Sequence, residues 1–262
     1  VKHWKNLHYK RGIHLDQMTP SEKLNHLAKA LHPVATQHQL IRVGSEFDGG
    51  YLLPNDLDGI RACFSPGVNE NASFEQHLHS QFGIGSHLAD FSVDGPPSDF
   101  TPLSFTKKFI GATDDDVFMT MDTWTKSVDA SPAEQDLLLQ MDIEGYEYIS
   151  LLRTSTEILR RFRIIIIEIH DVEAWGNPHF FNIVEGFFGM LLQHFWVVHN
   201  HPNNCCGIVK LNEFSGPRVF ELTLLRKDRA TPQGFCQAFP HPLDRPNLSN
   251  RDDLVLPALW HG

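Results

Sequence analysis

The chain is short of cysteine, of long apolar runs and of clustered positive charge, and each shortage removes a class of answer. Four cysteines in 262 residues are too few for a disulfide scaffold. None stands in C-x-x-C spacing, which argues against a thiolate zinc site, and the neighbours Cys205 and Cys206 are not expected to bridge to each other. The expectation is buried or idle thiols in a reducing compartment. No stretch approaches the ~18–20 consecutive apolar residues of a membrane span, and no signal-peptide pattern opens the chain. The sequence starts at Val1 rather than Met, so cytoplasmic is a default location that a removed upstream anchor or signal would change. With a formal net charge of -10 and no Lys/Arg cluster, neither nucleic acid nor an anionic membrane surface is expected as the main partner. Nothing sets an oligomeric state.

What is present is an alternation of β and α signals, with no internal repeat and no linker. Residues 1–39 read as a polar arm followed by one helix, which opens at Thr19-Pro20-Ser21-Glu22 with Thr19 as N-cap and Glu22 closing a capping box. The core, residues 40–229, begins with a hairpin signalled by Asp48-Gly49. Residues 60–64 read as a strand and 65–70 as the turn after it, with Ser73 capping a helix that Gly83 stops. A strand over 86–91 brings Asp90 about 23 residues after Gly67, near the spacing at which nucleotide-binding folds hold a ribose; Asp94 competes for that role. A strand over 105–110 and a short piece over 117–124 follow. Asn177-Pro178 pairs an N-cap with an N1 proline, residues 219–225 form a late strand, and 230–262 is a wrapping tail. The expected architecture is one α/β domain over 1–262, a three-layer arrangement around a mostly parallel sheet with a late antiparallel strand.

Two stretches carry the chemistry. Residues 137–147, Leu-Leu-Leu-Gln-Met-Asp-Ile-Glu-Gly-Tyr-Glu, are an apolar strand that ends in Asp142, Glu144 and Glu147. Residues 162–171 repeat the design, with an isoleucine run leading into Glu168, His170 and Asp171. Open α/β sheets keep their ligand crevice at the carboxyl ends of strands, so both stretches deliver acids and a histidine to one rim. His199 and His201, two apart on a strand, share a face. Plainer roles exist for each: Asp142 as a cap for the next helix, Glu144 and Glu147 as first-turn acids favoured by the dipole, His170 as a satisfied core histidine.

The segment Asp142-Ile143-Glu144-Gly145-Tyr146-Glu147 resembles the Asp-x-Glu-Gly-x-Glu signature of FkbM-type S-adenosylmethionine-dependent methyltransferases. Ile167-Glu168-Ile169-His170 and the strand over 108–111 are similar to that family as well. Arg42-x-Gly44…Asp48-Gly49-Gly50-Tyr51 and Ser65-x-Gly67…Ser73-Phe74-Glu75 resemble a branch found among animal methyltransferase-like proteins. The resemblance spans residues 42–225. It implies a Rossmann-like class I methyltransferase fold and S-adenosylmethionine held by Ser65, Gly67, Asn69, Glu75, Asp90 and Asp142. The turn after the first strand is poorer in glycine than is common in these enzymes, and Pro66 removes one N–H. Ser65, Asn69 and the following helix N-terminus are expected to supply other donors. The implied reaction is O-methyl transfer to a sugar or polyol hydroxyl of a small-molecule or glycan acceptor.

A hydroxyl is a poor nucleophile at neutral pH and needs a base or a metal. Asp142, His170 and His199 are the catalytic candidates. Asp142 and Asp171, with His170, His199 and His201, offer the oxygen and imidazole donors that suit Mg²⁺ or Mn²⁺. Two other readings stay open: the same fold methylating an RNA-terminal ribose or a natural product, and a non-catalytic binding module that has lost cofactor affinity.

Overall fold

The computed structural model describes residues 17–68, 71–129 and 135–261. Residues 1–16, within the expected arm over 1–18, and Asn69 therefore lie outside the described residues. The described residues open with α1 (Ser21–Ala30), β1 (Leu40–Gly44), β2 (Gly50–Pro54), β3 (Cys63–Pro66), α2 (Ser73–Phe82), β4 (Ser86–Ala89) and β5 (Ser104–Thr106). They continue through β6 (Phe109–Ile110), β7 (Phe118–Met119), α3 (Met121–Val128), β8 (Leu137–Met141), α4 (Glu147–Arg153), α5 (Thr156–Leu159) and β9 (Phe162–Ile169). They close with α6 (Pro178–His194), β10 (Phe195–Pro202), β11 (Ile208–Leu211), β12 (Phe214–Pro217) and β13 (Phe220–Arg226).

Seven strands form one mixed sheet in the order β10-β13-β9-β8-β3-β4-β5. The pairs β3–β4, β4–β5, β3–β8 and β8–β9 are parallel, while β13 is antiparallel to both β9 and β10. From β3 the chain steps outward to β4 and β5, then returns to the other side of β3 with β8 and β9. The order thus reverses between β3 and β8, which opens a crevice beyond their carboxyl ends.

Every residue of β8 and β9 is buried, as expected of strands covered on both faces. Alternate side chains divide between two cores. Leu139, Ile165 and Ile167 join the α1 and α6 side with Leu24, Phe188 and Leu191. Leu138, Ile164 and Ile166 join Val43, Leu53, Phe74 and Leu78 from the β1–β2 hairpin and α2.

Local signals set most boundaries. Asn177 caps α6 by accepting from the His179 and Phe180 N–H groups, and Gly83 ends α2 at φ 68°. Two expected caps are not formed. Pro20 rather than Thr19 precedes α1 with no side-chain cap, and the Thr19 N–H donates to the Gly176 carbonyl. Ala72 rather than Ser73 precedes α2, because the Ser73 hydroxyl donates to the Gly49 carbonyl in the hairpin turn. The strand expected over 105–110 splits: β5 joins the main sheet and β6 pairs with β7. Cys205 and Cys206 are bonded to each other, contrary to expectation. They lie in the turn after β10, where Asn203 Oδ1 accepts from the Cys205 N–H. Among the described residues no helix is long and apolar enough to cross a membrane.

Candidate functional site

A cavity of about 560 Å³ fills the crevice at the β3/β8 switch point. Gly67 and Ala89 form its floor, the first turn of α2 and the hairpin turn at Asp48 and Gly49 one wall, and Phe109, Phe118 and Tyr146 the opposite wall. Asp48, Glu75, Asp90, Asp142 and Glu144 line it, and among the described residues no Lys, Arg or His does.

Gly67 is what lets β3 and β8 end side by side. Its φ is 83°, and a Cβ there would overlap the Asp142 carbonyl oxygen. Its N–H donates to the Ala89 carbonyl, so it contributes close approach rather than a free donor. Ser65 does not line the cavity either. It is fully buried, with its hydroxyl bonded to Glu75 and to Gln140 Oε1 at 2.6 Å, while Gln140 Nε2 donates to the Tyr51 hydroxyl at 3.2 Å. Burial pushes the Glu75 carboxyl up, against the lowering effect of the Ser65 bond. A buried polar network of this kind holds Glu75 at the wall, and Ser65 serves it from behind.

Asp90 follows β4 directly, lines the cavity, and accepts from the Ser92 N–H at 2.7 Å and the Ser92 hydroxyl at 2.6 Å. Asp94 is fully exposed and paired with Lys107 away from the lining. Of the two competing acids, only Asp90 faces the crevice.

At the open end of β8 and β9 the acids converge on His170. Its Nδ1 lies 3.1 Å from Glu147 Oε1, and its Nε2 lies 3.7 Å from Asp142 Oδ1, 3.5 Å from Glu144 Oε2 and 3.9 Å from Glu168 Oε2. Glu147 is fully buried in the first turn of α4 and also accepts from the Ile143 N–H at 3.0 Å. The Tyr148 hydroxyl holds the His170 carbonyl at 2.8 Å. Burial opposes charge on the imidazole, but Glu147 and then Asp142 and Glu144 outweigh it and raise the pKa to about 9. Burial lifts Asp142 to about 6 even though a hydrogen bond with Glu168 and the His170 charge pull the other way. Glu168 is held well above the carboxylate range by burial, then by the charges of Asp142 and Glu221. Asn203 Nδ2 donates to Glu168 Oε1 at 2.6 Å.

The remaining expected site residues lie elsewhere. Among the described residues, Asp142, Glu168 and His170 form the one group whose potential metal-ligating atoms all lie within 4.8 Å of one another. Asp171 is exposed in a left-handed turn at φ 59° and stands outside that group. His199 and His201 do share a face, with ring centroids 6.4 Å apart, but the C-terminal tail has claimed them. His199 Nε2 is 2.9 Å from Asp244 Oδ1, and His201 lies between Glu221 at 3.7 Å and Asp253 at 3.3 Å. Asp171, His199 and His201 therefore stand outside that group. Glu147 and Glu168, which the sequence brings to the rim without a specific role, lie 3.1 and 3.9 Å from His170. Which atom Glu147 serves is not legible in the sequence, because its partner is 23 residues away across the sheet.

A family model for the methyltransferase FkbM domain matches residues 52–195, more than half of the chain. That span contains β3, β8 and β9 with the Asp142, Glu168 and His170 group. No curated protein and no solved structure matches the chain.

Proposed function

The chain belongs to the FkbM methyltransferase family, and from that premise we propose that it transfers the methyl group of S-adenosylmethionine to a hydroxyl of a sugar or polyol. The observation that carries the choice of methyl donor is the charge of the crevice. Among the described residues, five carboxylates and no basic side chain line it. A pyrophosphate-bearing cofactor would meet only like charge there, whereas a sulfonium with its neighbouring ammonium meets opposite charge at short range. The volume lies within the ~300–1,000 Å³ common for small-molecule sites. The strand order, with its reversal beside β3, supports the Rossmann-like class I reading.

Asp90 would take the ribose hydroxyls and Glu75 the ammonium, with Phe109 and Phe118 offering an apolar wall to the adenine. Asn69, outside the described residues, stays a proposed donor to the carboxylate. S-adenosylmethionine, once bound, supplies an electrophilic methyl carbon. The chain must then align an acceptor oxygen and remove its proton. Asp142 is the rim group available for that proton, while His170, raised to about 9 by its acids, would act only after giving up its own. Asp142 lines the cavity and titrates near neutrality, at about 6. His199, enclosed with Asp244, has no part in it. Glu144 and Glu168, with Asn203, suit an acceptor carrying several hydroxyls and disfavour a polyanion such as RNA. A divalent cation at the same rim would polarise the acceptor oxygen when bound.

The reading is tested by calorimetric titration with S-adenosylmethionine on wild-type protein and Asp90→Ala. We expect saturable binding that Asp90→Ala weakens at least about tenfold, equivalent to about 1.4 kcal/mol. Absence of wild-type binding would remove the proposal.

A further inference from the structure

We infer that Asp142, Glu168 and His170 form a divalent-metal centre, with Glu147 and Asn203 as the residues that position its ligands. This deepens the methyl-transfer reading by naming the cation's own site, yet it rests on geometry that does not require the methyl donor.

Three observations carry it. The first is the donor set itself. Two carboxylates and one imidazole, delivered by the ends of neighbouring parallel strands, have potential ligand atoms within 4.8 Å of one another. Asp142 also opens onto the cavity, which leaves one side for an acceptor oxygen. The second is how the donors are held. His170 turns Nδ1 to the fully buried Glu147, and its Nε2 thereby faces Asp142 and Glu168. Metal-binding histidines characteristically hand their outer nitrogen to a carboxylate in this way, which fixes the tautomer and the ring plane. Asn203 does the same for Glu168 by donating to Oε1, so that Oε2 is the oxygen on the His170 side. The third is a deficit. Asp142 Oδ1 is buried without a hydrogen-bond partner at that atom, and the nearest His170 nitrogen stands 3.7 Å away. Buried oxygens are rarely left without a donor or a cation.

The donor chemistry selects the ion. Oxygen donors with one imidazole and no thiolate favour Mn²⁺, with Mg²⁺ as the weaker fit because of the nitrogen. Asp171, His199 and His201 are not among its ligands: the first lies exposed outside the group, and the other two are paired with acids of the tail and β13.

The test is titration of the full chain with Mn²⁺ alone, followed by calorimetry and by loss of the free-ion electron paramagnetic resonance signal. One saturable site is expected in the wild type. His170→Ala and Glu168→Gln should abolish it, and Glu147→Gln should weaken it about 10–100-fold, as loss of an orienting partner does. His201→Asn, at a buried histidine outside the group, should bind Mn²⁺ as the wild type does, which controls for general damage. Asp142→Asn provides a near-isosteric alternative to either group variant if one fails to fold. Absence of saturable Mn²⁺ binding in the wild type, or unchanged affinity in folded His170→Ala and Glu168→Gln, would overturn the centre. Retained Mn²⁺ binding with no S-adenosylmethionine binding would leave the centre standing and remove the proposed methyl donor.

Discussion

At the scale of single residues, the site depends on positions whose role is fixed by a distant neighbour. Gly67 is a case: the sequence marks it as a turn glycine and suggests a backbone donor, but its N–H is spent on Ala89. What glycine supplies is the absence of a Cβ against the Asp142 carbonyl, at a φ of 83° that L side chains avoid. Gly67→Ala should therefore cost stability, about 1–3 kcal/mol from backbone strain alone, and should also push the two strand ends apart. A lowered urea midpoint together with weaker S-adenosylmethionine binding is expected. An unchanged midpoint would show that the strand ends separate freely and that their close approach matters little. Ser65 and Glu147 teach the same lesson from the polar side. Their residue types were legible as site material, but which atom each one serves depends on Gln140 and His170, residues far along the chain.

At the scale of elements, the apolar runs of β8 and β9, the Asn177 cap and the Gly83 stop could be read directly, because periodicity and capping act between near neighbours. Register could not. The antiparallel return of β13 sets Glu221 opposite Glu168, and β10 sets His201 opposite Glu221, so one face of three adjacent strands carries acid, acid and imidazole. That row explains why His201 is a structural ion rather than a ligand. Burial opposes its charge, yet Asp253 and Glu221, with Asp244 further off, raise its pKa from 6.5 to about 10. A histidine raised on folding stabilises fully below its unfolded pKa, and the contribution fades as pH climbs through the folded value. The window is thus about pH 6.5 to 10. The stability difference between wild type and His201→Asn should be largest near the lower bound and shrink toward the upper one. Urea midpoints measured across that range check this, and a difference that stays flat or grows with pH would refute the assignment.

For the molecule as a whole, the organising feature is a C-terminal tail that returns across the chain and is anchored at several places. Its composition, rich in Pro, Asn and Arg, announced a wrapping segment but not its anchors, since an irregular segment has no period to betray what it touches. One anchor is apolar. Trp260 is fully buried against the rings of Trp175, Phe214 and Phe220, and its indole N–H donates to the Ser215 carbonyl at 2.9 Å. The others are polar: Asp244 beside His199, Asn247 on Glu221 and Asp253 on His201, all at the strand ends next to the acidic rim. Fastening one end of the tail therefore helps hold the residues that keep His199 and His201 away from the rim. Trp260→Ala removes a large buried side chain and should destabilise by about 3–5 kcal/mol. If the tail is a separate strap, part of that loss will appear as local opening rather than global unfolding. Hydrogen exchange should then quicken across residues 244–261 while the amides of β8 and β9 stay protected. Uniform acceleration throughout the sheet would mean instead that the tail and the sheet unfold as one unit.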